Sequence, residues 1–277
     1  MSKVDVAIGL LFCKSKVLVG WREAKQHQGN KHEFAGGKVE QGETPRQACE
    51  REILEETGLH ITNWHAWDTI CHEYEDLTVT LHLFYAHTHQ TEVKAPWQWY
   101  ERDELLNLNF PKANDAILQR LQWKKWIKIT DQFEQSEKAL VYWRNNVELA
   151  DQPLANLIIN IEIANTLLLD QQKQLGAIHL SHSQLLQTTS LKTGVRYIAA
   201  CHDAQSLQYA EKIGCDAVLL SPVFATKTHP EAVPLGWEQF THLAQKSNLL
   251  VFALGGVSPQ QDVPCYGVAG ISQFKAL

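Results

Sequence analysis

Three glutamates, Glu52, Glu55 and Glu56, stand at i, i+3 and i+4, a spacing that brings their carboxylates to one face of a helix. Like charges so placed destabilise an isolated helix by about 0.2–0.5 kcal/mol per pair. A hard divalent cation offsets that cost. Mg2+ prefers carboxylate oxygen and keeps coordination sites for water and phosphate oxygens. An acidic face that only meets solvent is the other reading. It explains the glutamates but not their setting, with Gly36-Gly37 upstream, Glu43 and Arg51 nearby and a fully specified helix start.

That start is Thr44 as N-cap, Pro45 at the first helical position and Gln47 closing a capping box. Gly58 suits a C-terminal cap. The helix is predicted over Pro45–Thr57, with Cys49, Ile53 and Leu54 on the side that packs on a core.

Around it, Val4–Phe12, Lys16–Trp21, Trp64–Cys71 and Leu77–His87 read as strands, the first two joined by a Lys-Ser-Lys turn. Tyr100–Leu108 reads as a short polar connection, and an amphipathic helix is predicted from Phe110-Pro111 to about Lys125. From Trp126 the rhythm changes. WIKITD, ALVYWRN, NLIINI, GAIHL, VRYIAACHD, CDAVLLSPV, LLVFALGGV and YGVAGIS alternate with helical patterns, which predicts a parallel βα array and most simply a compact (β/α)8 TIM barrel with abbreviated helices. The fold class is therefore α/β with two domains, 1–124 and 125–277. The absence of a Pro/Gly/Ser-rich linker predicts that they dock closely.

Composition sets further bounds. At 277 residues two domains are the natural prior, and a net charge of -6 disfavours a nucleic-acid polymer as partner, though not a single nucleotide held through a metal. The N-terminal apolar run is too short for a membrane span and lacks a signal-peptide pattern. Six scattered cysteines form no C-x-x-C pair, which fits reduced thiols in cytoplasm. The 13 histidines include His87 and His89 at strand spacing, but no H-E-x-x-H; most read as surface or hydrogen-bonded groups.

From Gly36 to Leu59, GGKVEQGETPRQACEREILEETGL fills every fixed position of the Nudix box, G-x5-E-x7-R-E-U-x-E-E-x-G-U with U bulky and apolar. HEFAGGK is similar to the EFPGGK of the MutT branch, with Ala35 for proline, and Phe110-Pro111-Lys112-Ala113-Asn114 to its F-P-x-A-N. Residues 1–124 thus resemble MutT-type Nudix hydrolases, diphosphatases of oxidised guanine nucleotides. The resemblance implies an α/β/α sandwich with a mixed sheet, and hydrolysis of a nucleoside triphosphate such as 8-oxo-dGTP to its monophosphate and pyrophosphate. It implies Mg2+, with Mn2+ as a substitute, on Glu52, Glu55, Glu56 and the Gly37 carbonyl. Glu52 or a neighbouring glutamate would take the water proton, and Arg51 would hold Glu43 or Glu55. Arg22 would meet the nucleotide, Phe34 would line the base pocket and Asn114 would read the purine edge. An amide can donate to and accept from such an edge, although Asn114 would also serve as an exposed helix residue. Two departures bear on substrate choice. Only Glu92 lies in the shortened loop where the family has a further metal-binding glutamate, and Leu77, beside Asp76, replaces an arginine that flanks the base.

Residues 126–277 are similar to thiamine phosphate synthase and its TenI-like relatives, through GAIHL, ACHD, the SPVFAT of residues 221–226, Leu235-Gly236 and LGGV. The synthase positions are eroded. Its Q-x-R-x-K is here Tyr142-Trp143-Arg144-Asn145-Asn146, its metal-binding Asn-Asp is Asn160-Ile161, its second aspartate falls near Gln184, and its lysine is His229. The resemblance leaves a phosphate site of Arg144, Thr226, Gly256 and Gly270, and implies a barrel that binds a phosphorylated small molecule without turning it over. Glycines that merely close a barrel are the alternative at those positions. Two other functions remain open: Nudix hydrolysis of a thiamine-related pyrophosphate, and a barrel that regulates by sensing a phosphometabolite.

Overall fold

A computed structural model describes residues 2–24, 29–73, 77–144, 153–226 and 230–274. The chain divides into two compact units, Met1–Trp123 and Lys124–Leu277.

In the first unit, β1 (Ser2–Cys13), β2 (Lys16–Arg22), β3 (Lys31–Glu33), β4 (Ala35–Lys38), β5 (His65–Glu73), β6 (Leu77–His87) and β7 (Gln98–Glu101) form one mixed sheet. Its path runs β3-β2-β1-β6-β5, with β4 paired to β1 and β7 to β2. The β1–β6 pair is parallel from Ser2↔Leu77 to Phe12↔His87, and the other pairs are antiparallel. Strand alternation sends Ala7 and Leu11 to one face and Ile8, Leu10 and Phe12 to the other. The first face packs on α1 (Pro45–Thr57) through Ala48, Cys49 and Ile53; the second packs on α2 (Asp115–Leu121) through Ile117, Leu118 and Leu121. Each fully buried Leu or Ile contributes about 1.5–3 kcal/mol. An α/β/α sandwich with a mixed sheet is the result.

Helix α1 has the predicted limits and caps. Thr44 accepts from the Gln47 amide, Gln47 answers to the Thr44 amide at 2.8 Å, and Gly58 closes the helix at φ 73°. One expectation fails. Leu54 is 47% exposed, because the buried stripe runs through Ala48, Cys49, Ile53 and Thr57 and Leu54 lies about 100° round the helix from Ile53, beyond the edge of that stripe. The helix predicted to reach Lys125 is shorter as well. A 3-10 turn at Lys112–Asn114 leads into α2, which ends at Leu121 where Gln122 turns extended. The stretch read as a polar connection from Tyr100 carries the end of β7 and a second 3-10 turn, Glu104–Asn107.

The second unit is a closed parallel barrel of eight strands, β8 (Trp126–Thr130), β9 (Leu140–Trp143), β10 (Leu157–Asn160), β11 (Ala177–Leu180), β12 (Tyr197–Cys201), β13 (Ala217–Leu220), β14 (Leu250–Leu254) and β15 (Gly267–Gly270). All eight fall within the apolar runs of the sequence. The barrel closes where β15 pairs with β8 through Val268↔Trp126 and Gly270↔Lys128. The outer helices are indeed short: α3 (Ile161–Ala164), α4 (Leu169–Gln174), α5 (His182–Gln187), α6 (Ala204–Ile213) and α7 (Gly236–Lys246). No helix among the described residues is long and apolar enough to cross a membrane.

Candidate functional site

Glu52 and Glu56 of α1 lie against the glycine backbone of β4, while Glu55 is more exposed and meets Arg51. A Cβ on Gly37 would meet Glu52 Oε1 at 2.1 Å, so only glycine leaves room for that carboxylate. Gly36, at φ 148°, turns its amide to Glu56 Oε2 at 3.0 Å, and a Cβ there would lie 2.2 Å from the Ala7 carbonyl oxygen. Arg51 ties the acidic groups together. Its Nη2 donates to Glu43 Oε1 at 2.7 Å and to the Lys38 carbonyl at 3.2 Å, and its Nη1 to Glu52 Oε1 at 2.8 Å and Glu55 Oε2 at 3.4 Å. The arginine holds the Glu43 carboxyl below its ordinary pKa, and the carboxylates raise that of Arg51. Glu56 behaves differently. Although the residue is exposed, its carboxyl end turns in toward β4. Burial there pushes its pKa up to about 7, against the Gly36 amide, with Glu33 and Glu52 pushing the same way and Arg22 opposing.

These donors are all oxygens, which suits a hard cation such as Mg2+. The bonds to Arg51 and Gly36 use one oxygen of each helix carboxylate. Among the described residues no three His, Cys, Asp or Glu side chains form a ready-made cage. With the other oxygen of each carboxylate left over, the donor set fits an ion that also takes ligands from water and substrate. Glu92 is exposed in the loop between β6 and β7. That loop is fastened to the end of α1 by Trp97, whose indole donates to the Glu56 carbonyl at 2.9 Å.

The β2–β3 hairpin pairs Gly20↔Glu33, Trp21↔His32 and Arg22↔Lys31, and alternation gives it two faces. On one, Arg22 pairs with Glu33 at 2.6 Å, and both act electrostatically on Glu56. On the other, the Trp21 ring meets the His32 ring edge-on at 4.9 Å, and His32 lies 5.8 Å from Phe110. Phe110 in turn stacks on Phe34 at 4.9 Å and 26°. Phe34 is buried in the core beneath α2, and Asn114 is buried at the junction leading into α2, 7% exposed with no capping bond from its side chain. Asn114 is thus not the exposed helix residue of the alternative reading. Leu77 opens β6, while Asp76 lies outside the described residues. His87 ends β6 inside the unit with both ring nitrogens buried and unbonded, and burial lowers its pKa to about 3; His89 lies beyond the strand. Glu33, His32 and Trp97 are residues sequence reasoning missed, as is the bond from the Gly36 amide to Glu56. The paired glycines were the one local signal.

In the barrel, Arg144, Thr226, Gly256 and Gly270 all line one cavity of 1120 Å3. Gly256 takes φ 71°, and a Cβ on Gly270 would meet the Phe274 ring at 2.4 Å. Arg144 is paired with Asp131 at 2.7 Å. Tyr142, in the eroded pyrophosphate motif, shares a hydrogen bond of 2.9 Å with His179, whose pKa burial lowers to about 4. At the eroded metal positions Asn160 and Gln184 bond each other reciprocally, at 2.9 and 3.0 Å, and Ile161 packs on the barrel core. Asn145, Asn146 and His229 lie outside the described residues.

Residues 7–120 match the NUDIX domain family and residues 116–277 the Thiamine monophosphate synthase family. Among curated proteins, the chain is 36% identical over 104 residues to "Putative thiamine-phosphate synthase 2" of Aquifex aeolicus, covering 35% of this chain and 56% of that protein. The chain thus spans just over half the length of that relative. It is 33% identical over 130 residues to "8-oxo-dGTP diphosphatase" of Escherichia coli, covering 44% of this chain and 98% of that one. Among solved structures, MutT described from Aliivibrio salmonicida and Vibrio cholerae is 29% identical, covering 43% of this chain and 97% of that one at a TM-score of 0.36.

Proposed function

The chain belongs to the NUDIX domain family through its first unit and to the Thiamine monophosphate synthase family through its second, and we propose that residues 1–124 are a Mg2+-dependent diphosphatase of oxidised purine nucleotides. The reaction is hydrolysis of 8-oxo-dGTP to 8-oxo-dGMP and pyrophosphate, which clears a damaged precursor from the cytoplasmic nucleotide pool. The observation that carries this reading is the set of carboxylates on α1 seated against the Gly36-Gly37 backbone, joined to a buried Asn114 beside the core that holds Phe34.

Glu52, Glu55, Glu56 and the Gly37 carbonyl would hold the cation, with Mn2+ as a substitute. When bound, it neutralises phosphate oxygens and makes a coordinated water more acidic. Glu52 or its neighbour Glu56 accepts the proton of the attacking water. Arg51 fixes the carboxylates by bonding three of them at once. Arg22 meets the phosphates when it exchanges Glu33 for substrate, Phe34 backs the base, and Asn114 pairs with its edge.

Residues 125–277 are proposed as a barrel that binds a phosphorylated small molecule at Arg144, Thr226, Gly256 and Gly270 and is not a synthase. The amide pair Asn160–Gln184 supports this: the two side chains are neutral and bonded to each other, and Gln184 also occupies a carboxylate oxygen of Glu162 at 3.0 Å.

The test is pyrophosphate release by the full chain from 8-oxo-dGTP, dGTP and the other nucleoside triphosphates, and orthophosphate release from thiamine diphosphate, with Mg2+ and with a chelator. Mg2+-dependent preference for 8-oxo-dGTP supports the reading. Inactivity on all nucleotides overturns it, and preference for thiamine diphosphate moves the assignment to a thiamine-related pyrophosphate.

A further inference from the structure

We propose that His32 is a second base-reading residue of the first unit, presenting a neutral Nε2–H donor to a carbonyl oxygen of the purine. The proposal rests on the nucleotide-hydrolase reading of that unit and adds a specificity determinant to it.

The backbone amide of Asn109 donates to His32 Nδ1 at 3.2 Å. A backbone N–H can only donate, so Nδ1 is the acceptor and the ring proton sits on Nε2. A second bond, from the His32 amide to the Asn109 carbonyl at 2.7 Å, fixes the same two residues to each other. The imidazole is therefore held at one end and offers its donor from the other. It stays uncharged near neutral pH, because burial lowers its pKa and the Asn109 N–H on Nδ1 leaves no room there for a second proton.

Placement supplies the second half. The His32 ring lies between Phe110 at 5.8 Å, Trp21 at 4.9 Å and Tyr100 at 6.1 Å. It extends outward the row that begins with Phe34 stacked on Phe110. Trp21, at the outer end, is 40% exposed. The opposite face of the same hairpin carries Arg22 and Glu33, which act on Glu56. One strand pair thus separates an aromatic surface with an oriented donor from a charged surface suited to phosphate. Flat rings beside a fixed donor match a heteroaromatic base with an exocyclic oxygen. A neutral donor also discriminates by what it leaves unpaired when the acceptor is missing.

The test uses the full chain carrying His32→Phe, which keeps the ring and removes the donor, and His32→Gln, which returns an N–H donor. Substrates are 8-oxo-dGTP, dGTP without O8, and 2-aminopurine deoxyriboside triphosphate without O6. We expect His32→Phe to lower kcat/KM for 8-oxo-dGTP by about 2- to 12-fold, the value of one hydrogen bond, mainly through KM. The loss should disappear on whichever analogue lacks the oxygen that is read, and His32→Gln should recover part of it. The 15N spectrum of the wild-type imidazole should show the Nε2–H form and shift at Nε2 when a non-hydrolysable nucleotide is added. An equal loss on all three substrates, or an unmoved Nε2 signal, overturns the role of His32 while wild-type activity stands. A wild type idle on every nucleotide overturns the hydrolase reading itself, and this role with it.

Discussion

The amide of Gly36 donates to Glu56 Oε2 at 3.0 Å, joining two residues 20 positions apart. Through it the strand before the glutamate helix grips the carboxyl group whose charge the surroundings most oppose. The bond lowers the pKa of Glu56, yet burial and the neighbouring Glu33 and Glu52 leave it near 7.

This gives a pH dependence with a defined sign. A carboxyl raised from 4.5 to about 7 by folding favours the folded state fully below pH 4.5, and that contribution is lost as pH rises through 7. Thermal melts of metal-free protein should show this component of stability declining across that window. Mg2+ should raise Tm more at about pH 8 than at about pH 5.5, where the proton competes with it. Glu56→Gln should flatten the difference. An equal Mg2+ effect at both pH values contradicts the assignment.

Glu55→Gln and Glu56→Gln should each cut turnover by about a thousandfold or more while the fold persists. Losing a carboxylate ligand removes several kcal/mol of charge stabilisation, at about 1.4 kcal/mol per tenfold. Steady-state kinetics at moderate Mg2+, with circular dichroism as the folding control, decide it; near-normal rates rule out the metal site.

Arg51→Lys should lower kcat by about 10- to 100-fold, the usual effect of disturbing a group that orients metal ligands. KM for the nucleotide should change little. Lysine keeps the charge but lacks the planar fork with which Arg51 bonds Glu43, Glu52 and Glu55 together. A rise in KM with unchanged kcat would make Arg51 a substrate-binding group instead.

Asn114→Ala should damage 8-oxo-dGTP hydrolysis more than dGTP hydrolysis. A paired donor and acceptor on a base edge discriminates by about 1–3 kcal/mol, or about 5- to 150-fold in the ratio of kcat/KM. An unchanged ratio places base recognition elsewhere.

The full chain should make no thiamine phosphate from its pyrimidine pyrophosphate and thiazole phosphate precursors. The reciprocal Asn160–Gln184 bonds and the packed Ile161 occupy positions where that chemistry needs a cation on the leaving pyrophosphate. Inorganic phosphate should still bind weakly at the cavity, where backbone groups of glycine do not depend on side-chain charge. Growth of a synthase-deletion strain without thiamine, rescued by this chain, would reverse the conclusion.

Local signals account for what the sequence made legible. The caps of α1 lie within four residues of the groups they bond, and the barrel strands are apolar runs that need no partner to be recognised. Strands β3, β4 and β7 carry three or four residues each, polar or glycine-rich, and become strands only by pairing with β1 and β2. Leu54 misled because hydrophobic type was read without its angular position. Glu52, Glu55 and Glu56 were visible as a helix face, but their grip by Arg51 and Gly36 depends on the fold. The His32 tautomer depends on Asn109, 77 positions away, and no window of sequence contains both.

The seam between β8 and β15 sets an order on synthesis. Strand β8 is made as soon as the first unit is complete, but its partner on that side emerges only after nearly all the rest of the barrel. On the ribosome the sandwich can bury its core while the second unit still has two unmatched strand edges, an open curl exposed to mispairing. Gly270 belongs both to the seam and to the cavity wall, so that part of the wall is the last to assemble. A metabolite seated there would hold the ring shut, stabilising the finished barrel by mass action.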